Sequence, residues 1–193
     1  MRKYIILFLV ILGFTIIYNY NLKSKYTPLL CNNTHFIDDF NTYISNIKIP
    51  LSEKGHQFSY TFDIKFLNLP ENSQWYTNVN YKKPILYRNG SPNINYYPKT
   101  HILEIEMTYR NEYNEIDFYK IHLANLRIQK WINMSIILDN RFIDIFIDNK
   151  HYTSAYLPNV PFIYNKNIYL GEKDNNFNGY IKNMKYYNYA IKH

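Results

Sequence analysis

The sequence predicts an all-β, two-sheet antiparallel sandwich preceded by one N-terminal transmembrane helix. Three observations carry this. Residues 58–66 and 103–109 alternate apolar and polar side chains with period two, the pattern of strands buried on one side. Residues 131–150 contain two further apolar runs separated by Asp139-Asn140 and closed by Asp148-Asn149, which are turn signals. Tyr and Phe are abundant, at 22 and 12 of 193 residues, and aromatics favour strands. No helical period occurs beyond the apolar N-terminus. The length suits one domain plus an anchor, divided as residues 1–20 (signal-anchor), 21–41 (stalk) and 42–193 (sandwich). Hydrophobic content of 47% against 19% charged residues supports a core and argues against wholesale disorder.

At the N-terminus, residues 4–17 are uncharged and mostly apolar, follow Arg2 and Lys3, and lead into Tyr18 and Tyr20. Counted from Tyr4 to Tyr20, the stretch just reaches the lower limit for a spanning helix, about 17 residues. No pair of small residues two apart follows it, so an uncleaved anchor is favoured over a cleaved signal peptide. The expected topology puts the N-terminus in the cytoplasm and the C-terminal domain in a lumen, outside the cell or on a virion surface. The sequons at Asn32, Asn89 and Asn133 are glycosylation candidates on that topology. Residues 21–41 are polar and aperiodic. They carry the single cysteine, Cys31, either a free thiol or the link of a homodimer.

The domain opens with a strand expected over 42–49, ended by Pro50. Residues 58–66 follow, with Phe58, Tyr60, Phe62, Ile64 and Phe66 on the buried face. A polar loop around Trp75 and Tyr76 spans 67–83, and strands are expected at 84–88 and near 94–96. At 101–109, Leu103, Ile105, Met107 and Tyr109 face in, while Glu104, Glu106 and Thr108 face a solvated side. A weaker strand covers 116–123. In the 131–150 hairpin, Met134, Ile136 and Leu138 share the core with Ile143, Ile145 and Ile147. Trp131 has the parity of Asn133 and needs a bulge or a strand start to turn inward. Short strands at 151–155 and 167–171 precede the last long one, which begins at Phe177-Asn178-Gly179 and runs through Ile181, Met184 and Tyr186. Many short strands with turn signals between them indicate a sandwich or barrel.

The order F-S-Y-T-F-D-I, W-I-N-M-S-I, I-D-I-F-I-D-N-K, I-Y-L-G and F-N-G-Y-I-K-N-M-K-Y resembles the concanavalin A-like lectin/glucanase superfamily in its laminin G-like or pentraxin-like form. The resemblance covers about residues 42–191, with Asn149 where the family usually has Gly. It implies a jelly roll and a glycan- or protein-binding role. Membrane-anchored versions of this Asn/Lys/Tyr-rich composition look like proteins of large DNA viruses. Laminin G-like domains often hold calcium, so the resemblance makes Asp117, Asp139 and Asp174 candidate ligands, with no residue-by-residue match.

The superfamily includes glucanases, whose catalytic acids alternate along one strand. The nearest match here is Glu104-Ile105-Glu106, which lacks the further acids. Asp144 and Asp148 share a face but stand about 13 Å apart along a strand, too far to act as a pair. The six histidines show no metal-ligand spacing. The charge of +7 is scattered, so nucleic acid is not an expected partner. The first reading is therefore a non-enzymatic, membrane-anchored lectin-like domain, with Trp75 and Tyr76 as contact candidates and no cofactor apart from the calcium just considered. A structural membrane or virion protein and a divergent glycoside hydrolase are the alternatives. Tyr, Asn, Ile and Lys share AT-rich codons, and a biased genome inflates all four without any role for individual tyrosines.

Overall fold

A computed structural model of the protein describes residues 11–13, 15, 29–31, 35–36, 43–52, 56–68, 80–88, 90–171 and 177–192. Among these, thirteen strands form two antiparallel sheets. They are β1 (Leu29–Cys31), β2 (His35–Phe36), β3 (Tyr43–Ile44), β4 (Gln57–Phe66), β5 (Lys83–Tyr87), β6 (Asn93–Tyr97), β7 (Ile102–Arg110), β8 (Ile116–Leu123), β9 (Trp131–Asp139), β10 (Phe142–Ile147), β11 (Lys150–Tyr156), β12 (Ile168–Leu170) and β13 (Gly179–Tyr187). A seven-stranded sheet runs β1-β13-β4-β9-β10-β11, with β2 also pairing β13, and a six-stranded sheet runs β3-β12-β5-β6-β7-β8.

The alternating positions meet between the sheets. Phe58, Tyr60, Phe62, Ile64 and Phe66 of β4, with Met134, Ile136 and Leu138 of β9, join Ile94, Leu103, Ile105 and Met107 of the opposite sheet in one buried cluster. Rings cross the gap: Phe66 lies 4.8 Å from Tyr96, and Phe177 packs edge-on against both, at 5.4 and 5.5 Å. Three features needed the structure. First, β13 contributes Ile181, Met184 and Tyr186 to the core although 181 and 184 are three apart. A register shift between Lys182 and Lys185, with Asn183 at φ 52, resets the alternation. Second, the β10–β11 hairpin turns at Asp148 and Asn149, both at positive φ (51 and 60), as a two-residue type I′ turn requires. Asn thus serves where glycine is usual. Third, Trp131 stays on the outer face with Asn133; no bulge turns it inward. Its ring lies 6.5 Å from Tyr180, and Lys182 Nζ sits 4.1 Å over it.

Several expectations shift. The strand expected over 42–49 is only Tyr43–Ile44, because Ser45 accepts from the Ile47 N–H and starts a 3-10 turn over Asn46–Lys48. The seven-stranded sheet begins inside the segment expected to be a stalk: β1 and β2 pair with β13, placing the Cys31 backbone opposite Met184. Apart from residues 11–13 and 15, the expected anchor lies outside the described residues. No helix among the described residues is long and apolar enough to cross a membrane.

Candidate functional site

On the outer face of the six-stranded sheet, three tyrosines stand in one row. Tyr43 of β3 is opposite Tyr169 of β12, and Tyr169 is opposite Tyr87 of β5. Each is flanked in its strand by a buried aliphatic residue: Ile44, Leu86, and Ile168 with Leu170. Alternation therefore sends each ring outward. The rings are 59%, 37% and 44% exposed, and those of Tyr43 and Tyr169 lie 6.4 Å apart with a 41° tilt.

Beside the row is an open cleft of about 470 Å³, lined by Asn46, Tyr87, Asn165, Lys166, Asn167 and Tyr169. Its floor is set by the backbone. The Asn46 N–H donates to Asn167 Oδ1 at 2.9 Å, Asn46 Nδ2 reaches the Asn165 carbonyl at 3.4 Å, and the Lys166 N–H donates to the Tyr164 carbonyl at 2.9 Å. The first two bonds tie the 3-10 turn to the loop before β12, and the third closes a turn within that loop. The site thus combines planar apolar faces, three side-chain amides and one ammonium group.

Farther along the same face lies the Glu104–Glu106 pair. The face is as expected, but its solvation is not: Glu104 is 1% exposed. One carboxylate oxygen accepts from Asn95 at 3.3 Å and faces Lys82 at 3.6 Å. The other accepts from Tyr97 at 3.0 Å and contacts His122 at 3.2 Å and Lys120 at 3.7 Å. Lys120 also lies 3.7 Å from Glu106. Burial alone would raise the Glu104 pKa. Hydrogen bonds from His122 and Tyr97, then the charges of Lys120 and Lys82, outweigh burial and hold it lowered. Burial and the Glu104 contact push Tyr97 up to about 12. A glycosidase acid must be protonated near neutrality. Glu104 is held ionised with both oxygens engaged, an arrangement that braces β6, β7 and β8.

This carries a sign. A carboxylate whose folded pKa is depressed contributes stability above its unfolded value, about 4.3, and loses it as pH falls through the folded value. Glu104→Gln is expected to lower the melting temperature at pH 7 and to flatten the loss of stability below about pH 4.3. Melting curves from pH 7 to 3 check this; an unchanged acid limb would count against the assignment.

The other residues singled out from sequence are dispersed. Trp75, Tyr76, Asn32, Asn89 and Asp174 lie outside the described residues. Asn133 is within β9, where its amide Nδ2 donates to Asp63 at 2.8 Å. Asp117 accepts from Tyr109 OH, and Asp139 accepts from Gln57 and Asn140 side-chain amides. Each carboxylate thus already serves a local hydrogen bond. No group of three or more His, Cys, Asp or Glu residues among the described ones could hold a metal ion. Asp144 accepts from Ser154, and Asp148 pairs with Arg127, so the two acids serve separate local contacts. His101, His122 and His151 each meet a different partner: Tyr96, Glu104 and Ser154.

Tyr43, Tyr87 and Tyr169 were not singled out from sequence. Their signal was present in I-Y-L and in the neighbouring Y-I and L-Y pairs, each an aromatic beside inward aliphatics. Twenty-two tyrosines dilute that signal, and only the pairing β3-β12-β5 unites positions 43, 87 and 169.

Neither a family model nor a curated protein sequence matches the chain. Solved structures do share its fold. The binding domain of Paraclostridial Mosquitocidal Protein 1 superposes with a TM-score of 0.56 at 14% identity, over 87% of this chain and 45% of that one. The Botulinum Neurotoxin Type G receptor binding domain gives 0.53 at 14% identity, over 86% and 43%. The binding domain of Botulinum Neurotoxin DC, in complex with SialylT, gives 0.51 at 15% identity, over 86% and 43%. This chain spans less than half the length of each. At such identity the likeness is one of fold, a β-sandwich.

Proposed function

We propose that this protein is a non-enzymatic, lectin-like glycan-binding domain and that the row Tyr43–Tyr169–Tyr87 with its amide-lined cleft is the binding face. The observation that carries the proposal is the register: three partly exposed rings lie side by side across three strands, next to Asn46, Asn165 and Asn167. Sugar rings present C–H faces that pack on aromatic rings, and their hydroxyls pair with amides that donate and accept together. The strands hold the rings in place, which lowers the ordering cost of binding. The likeness of fold to one domain named for receptor binding, and to another named a binding domain and in complex with SialylT, supports the same reading.

Tyr169, at the centre of the row, should matter most. Tyr169→Ala is expected to weaken binding to any glycan retained on an array of immobilised sugars by about ten- to thirtyfold, the 1.4–2 kcal/mol of a central aromatic contact. Melting temperature should change little, since the ring is 37% exposed. Retained binding in a folded Tyr169→Ala protein would move the site elsewhere.

The finer placement is also a proposal. It comprises a concanavalin A-like jelly roll, displayed outside a cell or on a virion by an uncleaved anchor at 1–20, with the N-terminus in the cytoplasm. The uncharged run 4–17 after Arg2 and Lys3 supports it. A mass decrease on deglycosylation, at Asn32 or Asn89, would establish the topology; a fully accessible domain in the cytoplasm would refute it.

A further inference from the structure

We infer that the cleft beside the tyrosine row selects sugars carrying a negative charge, a carboxylate or a sulfate, and that Lys166 reads that charge. The inference rests on the tyrosine face being a glycan site. The lining supplies three amides, two phenols and one ammonium group, and no carboxylate. Asn167 Oδ1 already accepts one bond, from the Asn46 N–H, so its Nδ2 donor is the more available end of that amide. The surface therefore favours acceptor-rich ligands.

The rest of this outer face sharpens the contrast. Glu104 and Glu106 are matched on the spot by Lys82 and Lys120. Ion pairs among the described residues involve Lys82, Lys120, His122 and Arg127, and Lys166 takes part in none. Its backbone is fixed by the bond to the Tyr164 carbonyl, while its side chain is exposed. Glu104 and Glu106 are neutralised by their own lysines, and Lys166 keeps its charge for a ligand. A lysine is a compact point charge without the planar fork of arginine, so the geometry does not discriminate carboxylate from sulfate.

The test is an array of matched glycans, each present in neutral, sialylated and sulfated form, probed with the full chain. The expected result is that one or both charged forms bind about two- to fivefold tighter than the neutral partner, the yield of one exposed ion pair. That ratio should fall towards one at about 1 M salt, where screening acts within about 3 Å. Lys166→Met should bring the ratio near one, and Lys166→Arg should keep it. Lys150→Met, on β11 of the other sheet, removes the same net charge and should leave the ratio as it was. A ratio near one in the unaltered protein, with binding still dependent on Tyr169, would overturn this inference and leave the glycan reading standing. A ratio that survives Lys166→Met would place the selectivity in overall charge and also overturn it. A blank array would remove both.

Discussion

Gly179→Ala is expected to destabilise the protein by about 3 kcal/mol and to lower its melting temperature by about 6–12 °C. Gly179 opens β13 opposite Phe66, and a Cβ there would fall inside contact of both the Phe177 ring and the Lys65 carbonyl. The ring cannot yield, because Phe177 is fully buried between Phe66 and Tyr96. The carbonyl belongs to β4, which is paired on its other side with β9. Relief therefore demands a shift of the sheet or expulsion of an aromatic from the core. The Phe-x-Gly pattern is thus a packing device: residue 177 folds back over residue 179, and only hydrogen fits beneath it. A melting temperature within about 2 °C of the unaltered protein would show that β13 has slack the structure does not display.

The second large effect concerns a charge in the core. Arg88 is fully buried, and its Nη1 donates to Tyr60 OH at 2.8 Å. Its guanidinium sits 5.5 Å from the Tyr186 ring, while Nε and Nη2 find no hydrogen-bond partner among the described residues. Burial raises the Tyr60 pKa, so that phenol remains a neutral partner. Tyr60→Phe would strip the guanidinium of its direct hydrogen bond and is expected to cost about 2–4 kcal/mol. Arg88→Met removes a poorly compensated buried charge but leaves the Tyr60 hydroxyl alone. The double variant removes both, and an apolar pair of similar volume should recover most of the loss. Urea denaturation of the four proteins should therefore give a double variant at least about 2 kcal/mol more stable than additivity predicts. Additive costs would mean that the two groups are not energetically coupled.

Much of this fold was legible from local pattern. The alternation at 58–66 and 103–109 identified buried faces, because burial on one side of a pleated strand leaves a period of two. The parity of Met134, Ile136 and Leu138 held through the hairpin. What escaped depends on contacts between distant segments. Glu104 looked like one residue of a wet face, yet Asn95, Tyr97, Lys120 and His122 converge on it from the two strands beside β7. Trp131, by contrast, was legible: it had the parity of an outward residue and is one. The tyrosine row joins positions 43, 87 and 169, and no local window contains that pairing. Asn183 kept Met184 inward by a bulge, a device that no turn dipeptide announces.

The outer face of the six-stranded sheet, at its β3-β12-β5 edge, is the proposed ligand-binding surface. Nuclear magnetic resonance titration of the protein with a glycan retained on the array tests it most directly. Saturable shifts are expected at Tyr43, Asn46, Tyr87 and residues 165–169, with Trp131 and Tyr180 on the opposite sheet unmoved. Shifts confined to the Trp131–Tyr180 side, or none at the tyrosine row, would contradict it.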